Sequence, residues 1–387
     1  MHYRVTLVEM RLVGEVVRGQ AVPMMQKAVE VVDWGGSTSL VNTSLPAMLG
    51  PSQILVKVKA ASVNPLDVMM SHSYGMTVLD SLGRLESVSR GLAQPPILPT
   101  VLGRDFSGIV VQGGPLVRKS LTPGAAVWGA TFPGSQGCHQ EYVVVEEGIL
   151  APMPSGLNHL EAASIPYAGL TAWSAISTSA GLQEGSSKGA RVLLLGAGGG
   201  VGDIALQLLS RHFGANVTAV VSGEAGAERA LRCGASQVLD YKEPDYQHQL
   251  LQLDRFDIVL DSAGVGTSPD SVKPLLSLLR HRGCIVSLSS PLLQNTDSQG
   301  LIPGFASSLA SLATLNASSL QERSRSTVRW AYFMPNSKAL STMSWLVKMG
   351  RLIPPPISAF PLGKAGEAYA KVEAGGLRGK VVIDMEA

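Results

Sequence analysis

The stretch LLLGAGGGVGDIALQLL constrains the fold of this chain more than any other. An apolar strand runs up to Gly196, the triplet Gly198, Gly199 and Gly200 follows, and an amphipathic helix opens near Val201. Small residues let the backbone approach an anion, whose charge is met by N–H groups and by the positive end of the helix; Gly202 permits close helix-to-strand packing. Ala197 takes the first position of the GxGxxG frame, so the loop reads AxGxxG. A glycine triplet alone also marks flexible turns, and its surroundings give it meaning. ARVLLLG, NVTAVVS, QVLDY, DIVLDSAG and GCIVSLSS follow one another with helical segments between them. Continuous apolar strands alternating with helices predict a parallel sheet covered on both faces, because parallel neighbours need crossover connections. Residues 167–334 therefore read as a doubly wound, Rossmann-type nucleotide-binding domain of an α/β protein.

The end of the second strand of such a domain indicates which dinucleotide is bound. An NAD site usually carries a carboxylate there to hold the ribose hydroxyls. Here VTAVV ends in Ser222 and Gly223. A small hydroxyl leaves room for a 2′-phosphate, so NADPH is the expected cofactor. Two alternatives stand beside this: Glu224 could turn inward and restore NAD preference, and Ser222 could simply cap the next helix. Tyr241, ending the third strand, could stack or hydrogen-bond near the 2′-phosphate, or merely anchor the strand end.

A chain of 387 residues is long for one core, and two domains are expected. Residues 27–166 read as short strands with Gly/Pro punctuation, and residues 71–99 as a long loop that could cover a pocket. Residues 335–387 read as a helix near Lys338–Met349, a proline stop, a second helix and a strand, GKVVIDM, expected to return to the first domain. A net charge of +2 without basic runs argues against a nucleic-acid partner and favours a small molecule. Cys138, Cys233 and Cys284 stand apart without a CxxC pair, which points to a reducing compartment and no structural zinc. No apolar run approaches the roughly 18–20 residues of a membrane span. Within residues 1–26, Arg4, Arg11 and Arg18 recur on one helical face as in a mitochondrial leader, while Glu9 and Glu15 speak for an ordinary extension.

Taken together, AASVNPLDVMM, LGRDFSGIVVQGG, AASIPYAGLTAWSAI, VLLLGAGGGVG, QVLDYKE and LRGKVVIDM resemble the medium-chain dehydrogenase/reductase superfamily. Within it the chain is similar to the zinc-free quinone oxidoreductase branch, and RWAYFMP to its mitochondrial, reticulon-interacting NADPH oxidoreductases linked to ubiquinone biosynthesis. The resemblance implies a GroES-like β-rich catalytic domain beside the Rossmann domain, and hydride transfer from NADPH to a quinone or related conjugated carbonyl. It also implies mitochondrial placement, a reticulon-family partner and a homo-oligomer as possibilities. An enone or enoyl double-bond reductase would use the same residues; a cofactor-binding protein acting mainly as an interaction partner is the non-enzymatic alternative.

Zinc members of the superfamily carry a cysteine near the ASVNP position and Gly-His-Glu in place of Gly103-Arg104-Asp105. Here Asn64 and Arg104 take those places, and a protonated guanidinium cannot ligate a metal. No metal is expected, and Arg104 and Asp105 read as a charged turn beneath the cleft. By resemblance Asn64 orients cofactor or acceptor. Asp67 faces the nicotinamide, or is a turn or cap. Tyr74 lines the pocket as a hydrogen-bond or proton donor, or closes the domain interface. Ser262, Leu288, Ala331, Phe333, Gly376, Leu377 and Arg378 are implied contacts to NADPH; Leu288 could be core, and the Arg378 guanidinium suits a phosphate or ribose.

Overall fold

Alternation of buried side chains explains the second sheet. In the strand Arg191–Leu195, Val192 and Leu194 face one apolar cluster while Leu193 and Leu195 face another, so both sides are covered. A computed structural model describes residues 16–17, 20–45, 50–90, 97–135, 137–185, 187–321 and 325–387. Its parallel sheet comprises Arg191–Leu195, Asn216–Val221, Gln237–Asp240, Phe256–Asp261, Leu279–Ser287 and Thr327–Trp330. Numbered along the chain, these strands lie in the order 3-2-1-4-5-6. That is the Rossmann order, and its direction reverses between Arg191–Leu195 and Phe256–Asp261, where a crevice opens at the carboxyl ends of the strands.

The first sheet is built around Gln53–Val63, an 11-residue strand paired antiparallel with Asp105–Gly113, Tyr142–Glu146 and Lys380–Asp384. Val381 sits opposite Val63, so a strand from far along the chain joins this sheet directly beside Gln53–Val63. Just before it, Ile357–Pro361 pairs parallel with Lys380–Asp384. The helix Ser337–Lys348 instead packs on the core of the Rossmann domain, where Met343 fills the space left by Gly169 in the helix Pro166–Trp173.

One expectation is overturned. Where residues 71–99 read as a loop, the structure has a helix at Met76–Arg90. Its apolar pattern is weak: Met76 and Leu79, one turn apart, are the pair packed against the first domain. The helix is held at its start by a carboxylate from the other domain, a contact that no local pattern announces. Residues 91–96 lie outside the described residues, as does most of the segment 1–26 weighed as a leader. Among the described residues no helix is long and apolar enough to cross a membrane.

Candidate functional site

A cavity of about 850 Å³ opens at the crevice. Its floor is the glycine loop, where Gly199 caps the helix Gly200–Arg211. The conformation depends on glycine: a Cβ on Gly202 would lie 2.1 Å from the Gly196 carbonyl oxygen. Gly198 has nothing within 4 Å of where its Cβ would be, so its backbone is open to an approaching phosphate. A cavity of this size, a bare backbone and a helix start together fit a dinucleotide.

Eight of the residues singled out from sequence line this cavity: Gly198, Gly199, Ser222, Tyr241, Ser262, Gly376, Leu377 and Arg378. Ser262 donates from Oγ to the Leu195 carbonyl at 2.6 Å, which ties the fourth strand to the start of the glycine loop. Five others stand outside the wall. Gly200 begins the helix under Lys380, whose Cδ lies 2.9 Å from where a Cβ would be. Val201 and Leu288 pack against the large apolar cluster, and Ala331 and Phe333 belong to it. The Phe333 ring is stacked on Tyr167 with centroids 4.6 Å apart.

At the ribose end, the helix Glu224–Arg232 is capped by Gly223 without a side-chain bond, so Ser222 is not its cap. Glu224 is exposed in the first turn and is not among the cavity residues. The Arg378 guanidinium donates to the Ser222 carbonyl at 3.3 Å, reaching across from the C-terminal segment. Arg232, the last residue of the helix that follows Ser222, also lines the cavity and was not anticipated. Arg229 is committed elsewhere, with its guanidinium on Asp203 and on the Pro354 carbonyl. The Asp240 carboxylate accepts from the backbone N–H groups of Gly223 and Lys242, at 2.6 and 3.0 Å.

Beneath the cavity lies a closed cluster of charges. Asn64, Asp67, Arg104 and Asp105 are each at most 2% exposed, and Lys380 only 7%. Asp67 caps the helix Pro65–Ser71 by accepting from the Asn64 N–H at 2.8 Å, and it accepts from the Gly103 N–H at 3.0 Å. Its carboxylate faces Arg104 Nε at 3.4 Å, an ion pair without an aligned hydrogen bond. The Arg104 guanidinium donates to the carbonyls of Phe132 and Pro133, both at 2.9 Å. Asp105 accepts from Ser62, from Asn64 Nδ2 at 3.0 Å and from the Tyr167 N–H at 3.2 Å; Lys380 Nζ stands 3.7 Å away and donates to Asn64 Oδ1. Gly103 is obligatory here, since a Cβ would strike the His139 ring at 2.4 Å. Burial holds the His139 pKa below its usual value and pushes the neighbouring Cys138 thiol up to about 12.

These donors do not fit a catalytic zinc. A guanidinium and an amide occupy the relevant places, Cys138 is kept as a thiol, and the carboxylates already have partners. Asp67 is thus a cap and an ion-pair partner, and Asn64 a bridge between Lys380 and Asp105. Lys380 was missed from sequence, where a Gly-Lys before a strand gives no hint of burial.

Tyr74 sits in a tight turn between Ser73 at φ 66° and Gly75 at φ 81°. It is half-buried and helps line a second cavity, of about 460 Å³, with Pro65, Val68, Met69, His72, Val372 and Glu373. Burial first, then Asp297 and Tyr332, raise its pKa, and burial raises that of Tyr167. Both phenols therefore stay protonated at neutral pH and are able to donate a hydrogen bond.

Residues 50–155 match the alcohol dehydrogenase GroES-like domain, and residues 233–383 match a family described as zinc-binding dehydrogenase. The chain is 39% identical over 349 residues to the human (Homo sapiens) mitochondrial NAD(P)H oxidoreductase RTN4IP1, covering 89% of this chain and 84% of that protein. It is 32% identical over 357 residues to the mitochondrial reticulon-4-interacting protein 1 of Caenorhabditis elegans, covering 90% and 92%. A quinone oxidoreductase structure from Coxiella burnetii superposes with a TM-score of 0.72 at 27% identity, over 93% of this chain and 99% of that one.

Proposed function

The chain belongs to the NAD(P)H oxidoreductases of the medium-chain dehydrogenase/reductase superfamily, and on that footing we propose that it uses NADPH to reduce a quinone of the ubiquinone type. The observation that carries the cofactor assignment is the ribose end of the large cavity. There Ser222 lies beneath the Arg378 guanidinium, and the Asp203 carboxylate in the wall is already paired with Arg229. A guanidinium beside a small hydroxyl suits a 2′-phosphate and gains nothing from a bare ribose.

NADPH, when bound, supplies the hydride. The glycine loop holds its pyrophosphate through backbone N–H groups and the helix end. The acceptor is polarised by hydrogen bonds, because the place of a Lewis acid in related enzymes is filled by the Asp67, Arg104, Asp105 and Lys380 cluster. A quinone suits such a site, since hydride addition gives a delocalised oxyanion. Tyr74, a protonated phenol at the domain boundary, donates a hydrogen bond or a proton to that oxygen. Asn64 and Asp67 act from below by fixing the helix Pro65–Ser71 that leads into Tyr74.

Two further properties rest on the relatives' names: action in mitochondria and interaction with a reticulon-type protein. The deciding experiment is oxidation of NADPH and of NADH by the purified protein with a short-chain ubiquinone, a naphthoquinone and a conjugated enone. Quinone-dependent oxidation with NADPH preferred is expected. Turnover of the enone with none of the quinones would replace this reading by that of a double-bond reductase.

A further inference from the structure

We propose that Asp297 is a positioning residue that reaches across the domain boundary and sets Tyr74 for the reaction. Asp297 lies on the helix Leu292–Gln299, which follows the fifth Rossmann strand. Its two carboxylate oxygens accept from the backbone N–H of Gly75 at 2.6 Å and of Thr77 at 3.0 Å. These partners are more than two hundred residues away in sequence, separated by 222 and 220 positions. They flank the first residue of the helix Met76–Arg90 and follow directly on Tyr74.

Three features make this contact more than a chance surface bond. The carboxylate meets the free N–H groups at a helix start, where a negative charge is favoured and hydrogen bonds to an ionised acceptor are strong. The turn it holds needs holding, because Ser73 adopts φ 66°, a left-handed conformation that strains a residue carrying a side chain. The carboxylate itself stands on a stiff support. Its helix packs against Leu301–Gln321 so closely that a Cβ on Gly304 would lie 2.5 Å from the Asn295 carbonyl, and Asn295 Nδ2 donates to Ser308 at 3.0 Å. Beside it, Leu293 packs 3.3 Å from where a Cβ on Gly75 would stand. The Rossmann domain thus fixes the backbone on which Tyr74 is mounted, and Asp297 acts through Tyr74 without being a catalytic residue.

The inference rests on the proposed role of Tyr74, and its test separates the two. Amide hydrogen exchange at Gly75 and Thr77 and steady-state kinetics are compared for wild type, Asp297→Ala and Asp297→Asn. Loss of both acceptors in Asp297→Ala should speed exchange at the two amides by about tenfold or more; Asp297→Asn, which keeps one acceptor oxygen, should fall between. In the same variants kcat should fall, by about tenfold in Asp297→Ala, while KM for NADPH stays unchanged and Asp297→Asn recovers part of the loss. In a Tyr74→Phe background, adding Asp297→Ala should cost less than about twofold. An equal loss in both backgrounds would show that Asp297 only braces the domains, and unchanged exchange would show that it holds nothing; either result overturns the inference. A wild-type protein that reduces no acceptor would break the proposed function instead, and exchange at Gly75 and Thr77 would still decide whether the latch exists.

Discussion

The nucleotide cavity and the charge cluster beneath it meet where Gly379, in the cavity wall, leads into Lys380, and they solve opposite problems. The cavity is hollow, and its wall presents backbone and guanidinium groups to a ligand. The cluster is filled, with Asp67, Arg104, Asp105, Asn64 and Lys380 directed at one another or at nearby carbonyls. Charges at the rim of a cavity cost little to keep and act when a ligand arrives. Charges buried together have each lost their hydration, and every one depends on the others to offset that cost. A substitution in the cluster should therefore be read in stability, and one in the cavity wall in cofactor affinity.

The largest effect should come from Arg104→Leu, which leaves Asp67 buried without its cation. A loss of about 3–5 kcal/mol in urea unfolding is expected. Unchanged stability would mean that the cluster is not held together by its charges. Lys380→Met should cost less, about 1–3 kcal/mol by the same measurement, because Asp105 keeps its bonds from Ser62, Asn64 and the Tyr167 N–H. In the cavity wall the scale is that of binding. Ser222→Asp places a carboxylate against the expected 2′-phosphate, and fluorescence titration should show NADPH bound about tenfold or more weakly with NADH unaffected or improved. Arg378→Ala should give the smallest change, a severalfold weakening for NADPH alone, since the glycine loop still holds the pyrophosphate. Equal weakening for both cofactors would move Arg378 from the 2′-phosphate to the part of the dinucleotide they share.

The contrast also explains what could be read from the sequence. The glycine loop was legible because backbone approach and helix packing need a local pattern, and the apolar strands announced a sheet buried on both faces. Arg104 and Asp105 read as a charged turn because their partners, Asp67 and Lys380, are distant in sequence and nothing local shows that four ionisable groups will share one interior. The helix Met76–Arg90 was hidden for the same reason, its start being satisfied by Asp297. Of the apolar residues named by resemblance, Ala331 and Phe333 lie in the apolar cluster and Leu288 packs against it, since an apolar residue after a strand gives no sign of which side it faces. Arg378 carried its own signal, a guanidinium that the chain places beside Ser222.

The bridge between Gly199 and Gly379, and the bond from Lys380 to Asn64 beside it, bear on how the protein is made. Lys380 and Asn64 are 316 residues apart, and the strand that Lys380 opens lies between Gln53–Val63 and Ile357–Pro361 in the first sheet. During synthesis all six strands of the Rossmann domain precede this one, so the first domain receives it only after them. Closing so long a loop costs little more than closing one of half its length, about 0.6 kcal/mol per doubling, so the delay weighs on timing more than on stability. Until this segment has emerged, the amide and carboxylate of the cluster have no lysine, and the glycine loop has no Gly379 beside it.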